Sequence, residues 1–185
     1  MPRPMDTILP PELVAAARKV LEANRAAGRR VAVAESCTGG LVSAALTEIP
    51  GSSDVFDAGF VTYSNEAKHD VLKVGSDVLE TFGSVSIAVA WSMAQGALAR
   101  THADVAVAIT GIAGPDGGSE KKPVGTVVFA QAVRNADPEH IVADARHFEN
   151  NGRAGIRLQA ALCALELLMP GAAAPEADEA DVESP

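Results

Sequence analysis

The stretch Val31-Ala-Val-Ala-Glu-Ser-Cys-Thr-Gly-Gly40 constrains the fold more than any other part of the chain. Its four small or β-branched apolar residues read as a short buried strand, and Gly39-Gly40 followed by Leu41-Val-Ser-Ala-Ala-Leu46 reads as the start of a helix. A strand that turns directly into a helix is the building unit of an open α/β sheet. Such sheets place ligand sites at the carboxyl ends of their strands, where unpaired amides face an anion. Two candidate nucleophiles, Ser36 and Cys37, fall on this turn. The ordinary alternative is a plain strand-to-helix turn in which Ser36 or Thr38 caps the helix.

The rest of the chain repeats the same pattern. Pro11 to Ala27 places Leu13, Ala17, Val20, Leu21 and Asn24 at helical spacing, with Pro11 suited to the first turn and Gly28 to the exit. After the turn signal Ile49-Pro-Gly-Ser-Ser53, Phe56 to Tyr63 is rich in strand formers, and Ser64 or Asn65 then caps a helical segment that contains Lys68. A turn between Tyr63 and Lys68 would bring both side chains to one pocket; a half-buried tyrosine and a surface lysine are the plain alternative. Val71 to Phe82 predicts a short helical connection, and Ser86 caps a helix from Ile87 to Arg100.

Asp104-Val-Ala-Val-Ala-Ile-Thr110 is a second uninterrupted small apolar run, a buried strand, and it opens into the glycine-dense loop Gly111 to Ser119. Without β-carbons such a loop lets backbone amides approach a ligand oxygen. Its spacing matches neither a Walker loop nor a dinucleotide fingerprint, and a long hairpin connection is an equal alternative. Val124 to Val133 and His140 to Phe148, joined by a turn at Asn135 to Pro138, predict an antiparallel pair, so the sheet should be mixed. A last helix from Asn151-Gly152 through Met169 carries Arg153 and Arg157 in its first turns. Cations there oppose the helix dipole, so they lie in water or serve an anion.

At 185 residues the chain suits one domain, spanning 11–170 after a lead of residues 1–10. Hydrophobic residues make up 48% and aromatics only 4%, so the core must be built from Ala, Val, Leu and Ile. The net charge of -9 argues against a nucleic-acid partner, whose phosphates require clustered Lys and Arg. Much of the excess lies in residues 171–185, a Pro- and acid-rich segment predicted to be disordered. No apolar run is long enough to span a membrane, and Cys37 and Cys163 form neither a metal-spaced pair nor a disulfide framework; a reducing cytoplasm is the expected compartment. The four histidines are scattered, and no metal or cofactor is expected.

Taken together, Ala-Glu-Ser36-Cys-Thr-Gly-Gly, Thr62-Tyr63-Ser-Asn-Glu-Ala-Lys68, Thr110-Gly-Ile-Ala-Gly-Pro and Lys122-Pro-Val-Gly-Thr126 resemble the C-terminal domain family of the competence-damage-inducible protein CinA, in unbroken order from about Leu13 to Leu168. The resemblance implies a single-domain, three-layer α/β/α sandwich with a mixed, mostly parallel sheet. It also implies a homo-oligomer and, for stand-alone members, hydrolysis of the carboxamide of nicotinamide mononucleotide to nicotinate mononucleotide and ammonia. Carried over by motif, Ser36 is the nucleophile, Lys68 its base and Tyr63 an assisting hydroxyl. Thr110, Gly111 and Gly114 fall in the substrate pocket, Arg153 on the phosphate, and Thr38, Gly39 and Gly40 at the helix start whose amides would hold the oxyanion. Cys37 becomes a packing residue. One position departs from the family, Ile87 after Val85-Ser86 where a glutamate is common, and it leaves open a second reading, a non-catalytic pyridine-nucleotide binding or regulatory module.

Overall fold

The two alanine-valine runs lie side by side at the centre of a five-stranded sheet. The computed structural model describes residues 7–137 and 141–172. Strand β1 (Val31–Glu35) pairs in parallel with β2 (Phe56–Val61) on one side and with β3 (Val105–Gly111) on the other. Strand β4 (Thr126–Val133) runs antiparallel to β3, and β5 (Val142–His147) antiparallel to β4, giving the order β2-β1-β3-β4-β5. Four of the five strands therefore share one direction, and the predicted mixed sheet is present. The proposed turn at Pro138, the start of the last strand at His140 and the acidic tail from residue 173 onward lie outside the described residues.

Successive side chains of a strand face opposite ways, and here that alternation sorts residues by size. Val31, Val33, Val105, Val107 and Ile109 face a core completed by helices α1 (Pro11–Ala26), α2 (Leu41–Thr47) and α6 (Gly152–Leu167). Ala32, Ala34, Ala106 and Ala108 face the opposite core, under α3 (Asn65–Leu72), α4 (Ser76–Phe82) and α5 (Ile87–Ala99). Alanine on that face leaves room for α5 to lie close to the sheet. The single connection expected over Val71 to Phe82 is two helices, because Lys73 adopts a left-handed φ of 60° and ends α3 before Gly75 and Ser76 start α4.

The strand order has a consequence for function. From β1 the chain leaves toward β2 on one side, then returns across to β3 on the other, so the loops at the carboxyl ends of β1 and β3 diverge. Such a divergence opens a crevice at which open α/β sheets bind ligands. Ser36 follows β1, Thr62 and Tyr63 follow β2, and Thr110 and Gly111 end β3.

Candidate active site

The pairing of β1 with β3 runs one residue past Glu35: the Ser36 N–H donates to the Ile109 carbonyl at 2.9 Å. The chain then turns sharply, with the Gly39 N–H donating to the Ser36 carbonyl at 3.0 Å and Gly39 and Gly40 at φ of 61° and 93°, left-handed values that favour glycine. Ser36 is thereby left at the sheet's carboxyl edge, 7% exposed.

Lys68 reaches it from the opposite core. Ser64 caps α3 by accepting from the Ala67 N–H at 3.0 Å, which sets Lys68 on the first turn facing inward. Lys68 is 1% exposed, and its Nζ lies 3.0 Å from Ser36 Oγ, 2.9 Å from the Thr62 carbonyl and 3.5 Å from that of Tyr63. None of the ion pairs among the described residues includes it. Burial lowers its pKa from the ordinary 10.5; ionised Cys37 would oppose that shift. Burial also pushes the Cys37 thiol up to about 11, however, so at neutral pH the thiol is uncharged and cannot hold a proton on the lysine. A neutral amine has two N–H bonds and one lone pair. Lys68 Nζ donates to Ser36 Oγ and to the two carbonyls; were the amine neutral, the carbonyls, which can only accept, would take its N–H bonds and its lone pair would face the Ser36 hydroxyl. The same raised pKa leaves Cys37 a thiol, a poor nucleophile, beside Ser36.

A cavity of about 190 Å³ opens onto this pair and is lined by Ser36, Cys37, Tyr63, Lys68, Thr110, Gly111 and Arg153 among others. It is smaller than the roughly 300–1,000 Å³ that bury a whole drug-sized ligand, so it suits one end of a substrate. Tyr63 stands at the rim, 60% exposed, and its hydroxyl accepts from Arg153 at 2.7 Å. The second Arg153 amino group donates to the Gly114 carbonyl at 2.7 Å, so the arginine ties the tyrosine to the glycine loop. No bond links the Tyr63 hydroxyl to Ser36 or Lys68. Thr110 is 1% exposed, and its hydroxyl donates to the Ser84 carbonyl at 2.7 Å, fastening β3 to the loop before α5. The glycine loop is the β3–β4 hairpin connection, and its first residues also line the cavity. Ile87, at the departure from the family pattern, lines a neighbouring groove instead, so its side chain is not a wall of the Ser36 cavity.

One alternative and one expectation for the turn after Ser36 are corrected. Neither Ser36 nor Thr38 caps α2; Gly40 occupies that position, and no side chain there makes a cap bond. The amides of Gly39 and Gly40 are also not free for an oxyanion. Glu35, fully buried, accepts from the N–H groups of Gly40 and Val42 at 3.0 and 3.1 Å and from the N–H and hydroxyl of Ser43 at 2.8 and 2.7 Å. Thr38 is fully buried, and its hydroxyl has no partner.

Glu35 was not singled out from the sequence, although a carboxylate ending a buried strand always needs donors. Lys122 also has a part, donating to the carbonyls of Val85 and Phe82 at 2.7 and 3.3 Å and so holding the loop above the cavity. Arg157 neither lies free in water nor faces an anion: it donates to the carbonyls of Cys37 and Thr38 at 3.2 and 2.8 Å. Among the described residues no group of three or more His, Cys, Asp or Glu side chains is placed to hold a metal ion, and no helix is long and apolar enough to cross a membrane.

Residues 14–171 match the CinA C-terminal domain family. The nicotinamide-nucleotide amidohydrolase PncC of Enterobacter agglomerans is 51% identical over 142 residues, covering 77% of this chain and 84% of that protein. The protein of the same name from Escherichia coli K12 is 49% identical over 157 residues, 85% of this chain and 93% of the relative. Some other relatives are longer, and the chain spans between 25% and 33% of their length. The crystal structure of the competence/damage inducible protein CihA from Agrobacterium tumefaciens superposes with a TM-score of 0.82 at 48% identity, covering 88% of this chain and 96% of that one.

Proposed function

Because the chain belongs to the CinA C-terminal domain family, we propose that it is a nicotinamide-nucleotide amidase, hydrolysing the carboxamide of nicotinamide mononucleotide to nicotinate mononucleotide and ammonia. The observation that carries this reading is the buried, carboxylate-free contact of Lys68 Nζ with Ser36 Oγ at 3.0 Å. Neutral Lys68 takes the Ser36 proton as Oγ bonds to the carboxamide carbon. The resulting lysine ammonium passes that proton to the amide nitrogen, the C–N bond breaks, and ammonia leaves an acyl ester on Ser36. Water, deprotonated by Lys68, then attacks the ester, and the carboxylate departs as Ser36 regains its proton.

The cavity's size favours entry of the pyridine carboxamide alone, with ribose and phosphate toward the rim. Among the described residues Arg153 has only a carbonyl and a phenol as partners there, so its charge is available to a phosphate. Tyr63 then serves by orienting Arg153 at the mouth rather than by relaying a proton through a bond already made. The reading places the enzyme in pyridine-nucleotide recycling, as a homo-oligomer of the cytoplasm; the two free, buried cysteines suit a reducing compartment. Ammonia release from nicotinamide mononucleotide, followed by a coupled assay, tests the proposal. Ser36→Ala is expected to lower turnover by roughly 10⁴ or more, and a wild-type rate no higher than that variant's would reject it.

A further inference from the structure

Thr110 is placed to touch whatever bonds to Ser36. The last register step between β1 and β3 pairs Glu35 with Ile109, so Ser36 and Thr110 come next, on strands about 4.8 Å apart. Ser36 lies two residues beyond Ala34, and Thr110 two beyond Ala108. By strand alternation both side chains take the face those alanines take, and both residues line the cavity. A carbon bonded to Ser36 Oγ therefore holds one of its other substituents within hydrogen-bonding reach of Thr110 Oγ.

What Thr110 offers that substituent is fixed by its own partner. A hydroxyl has one proton and two lone pairs. The Thr110 proton is engaged at 2.7 Å by the Ser84 carbonyl, which can only accept, and the hydroxyl makes no other hydrogen bond among the described residues. Ser84 is itself held on both sides. Lys122 Nζ donates to the carbonyls of Phe82 and Val85 at 3.3 and 2.7 Å, and the Ser86 hydroxyl donates to that of Gly83 at 2.9 Å. Four successive carbonyls between α4 and α5 thus have side-chain donors, Thr110 supplying the third. Turning the Thr110 proton toward the cavity would strip the Ser84 carbonyl of its donor, so Thr110 faces the cavity as an acceptor.

We propose that Thr110 selects carboxamide over carboxylate: its oxygen accepts from the NH₂ of the substrate and has no proton for the carboxylate of the product. The inference deepens the amidase reading above and rests on it. An amide carbonyl oxygen set against Thr110 would meet lone pairs, so the carboxamide binds with its nitrogen there and its oxygen on the other side. Once ammonia has left, a water in the nitrogen's place donates one hydrogen to Thr110 and the other to Lys68, which aims its own lone pair at the ester carbon. When that carbon has become a carboxylate, an oxygen stands where the nitrogen stood. The contact that held the substrate is then repulsive toward the product.

The test measures binding with turnover suppressed, by calorimetry at one pH, in a Ser36→Ala parent and in the same protein with Thr110→Val or Thr110→Ser added. The ligands are nicotinamide mononucleotide and nicotinate mononucleotide, and the quantity read is the ratio of their dissociation constants, carboxylate over amide. Valine keeps the shape and removes the hydroxyl. Thr110→Val should lower the ratio by at least about tenfold, and Thr110→Ser should hold it within about threefold of the parent. A merely structural role predicts otherwise, since loosening the Ser84 segment weakens both ligands together and leaves the ratio alone. The charges of Lys68 and Arg153 act in parent and variant alike and cancel in the comparison. A smaller fall in Thr110→Val, an equal fall in Thr110→Ser, or a parent that binds neither nucleotide overturns the proposal. If Thr110→Val does not fold, Thr110→Ala carries the same expectation.

Failure of the amidase reading shows separately, as no ammonia released by the wild-type chain. The same ratio is then measured without the Ser36 substitution, and its fall or persistence in Thr110→Val decides whether Thr110 selects the bound ligand.

Discussion

Replacing Glu35 by glutamine isolates what a buried carboxylate does at the turn that carries Ser36. The glutamate is fully buried and accepts four hydrogen bonds, two at each oxygen, from Gly40, Val42 and the N–H and hydroxyl of Ser43. Glutamine keeps the shape but turns one oxygen into a donor. Its better orientation puts the remaining oxygen toward the amides of Gly40 and Val42 and the NH₂ toward Ser43, whose hydroxyl can rotate to accept. The Ser43 N–H is then left facing a donor, which costs about 1–3 kcal/mol. Removing the negative charge from the start of α2 costs roughly 0.3–2 kcal/mol more, while relief of the burial cost of that charge works the other way. The expected net loss is about 2–4 kcal/mol, or roughly 4–16 °C in melting temperature at 2–4 °C per kcal/mol for a domain of this size. Urea unfolding of Glu35→Gln, Ser43→Ala and the double variant measures it; the pair should couple by at least about 0.5 kcal/mol. A glutamine variant within about 0.5 kcal/mol of wild type would show that desolvation cancels the bonds and that the carboxylate does not hold the turn.

Further predictions concern the core that delivers Lys68. Since burial lowers the Lys68 pKa, kcat/KM should rise with pH through a midpoint below 10.5 as the base loses its proton; Lys68→Met should lower activity about 10²–10⁴-fold. The same shift means that the folded state binds fewer protons than the unfolded one between the lowered value and 10.5, so stability should rise with pH across that window. The slope should be smaller in Lys68→Met, and equal slopes in urea melts of the two proteins would refute the shift. Gly96 in α5 lies against the Leu72 carbonyl oxygen, where a β-carbon would collide with backbone rather than with a movable side chain. Gly96→Ala should therefore cost about 1–3 kcal/mol and, because α3 carries both Leu72 and Lys68, lower kcat as well; an unchanged melting curve with full activity would count against that contact.

Much of the fold was legible because strand and helix are local properties. The runs at Val31 and Asp104 are strands because small and β-branched residues pack on both sides of a sheet, and Ser64 and Ser86 cap helices where they were expected to. The break at Lys73 escaped notice because nothing in that residue type favours a left-handed backbone. In the site, Tyr63 and Lys68 were expected in one pocket, and both line it. The donors at the turn were misassigned because Gly39-Gly40 looks like an open helix start, whereas the acceptor that fills it, Glu35, lies in the preceding strand.

By itself the sequence determined which segments are strands and helices, where the chain turns, and that a serine, a tyrosine and a lysine follow strand ends. These depend on residue size, branching and spacing over a few positions. Only the tertiary structure decided that the Lys68 amine is dry and against a hydroxyl 32 positions away, and that Arg157 grips a turn 120 positions earlier. Protonation and peptide orientation are set by what surrounds a group in space, and that neighbourhood exists only once both helical layers close on the sheet.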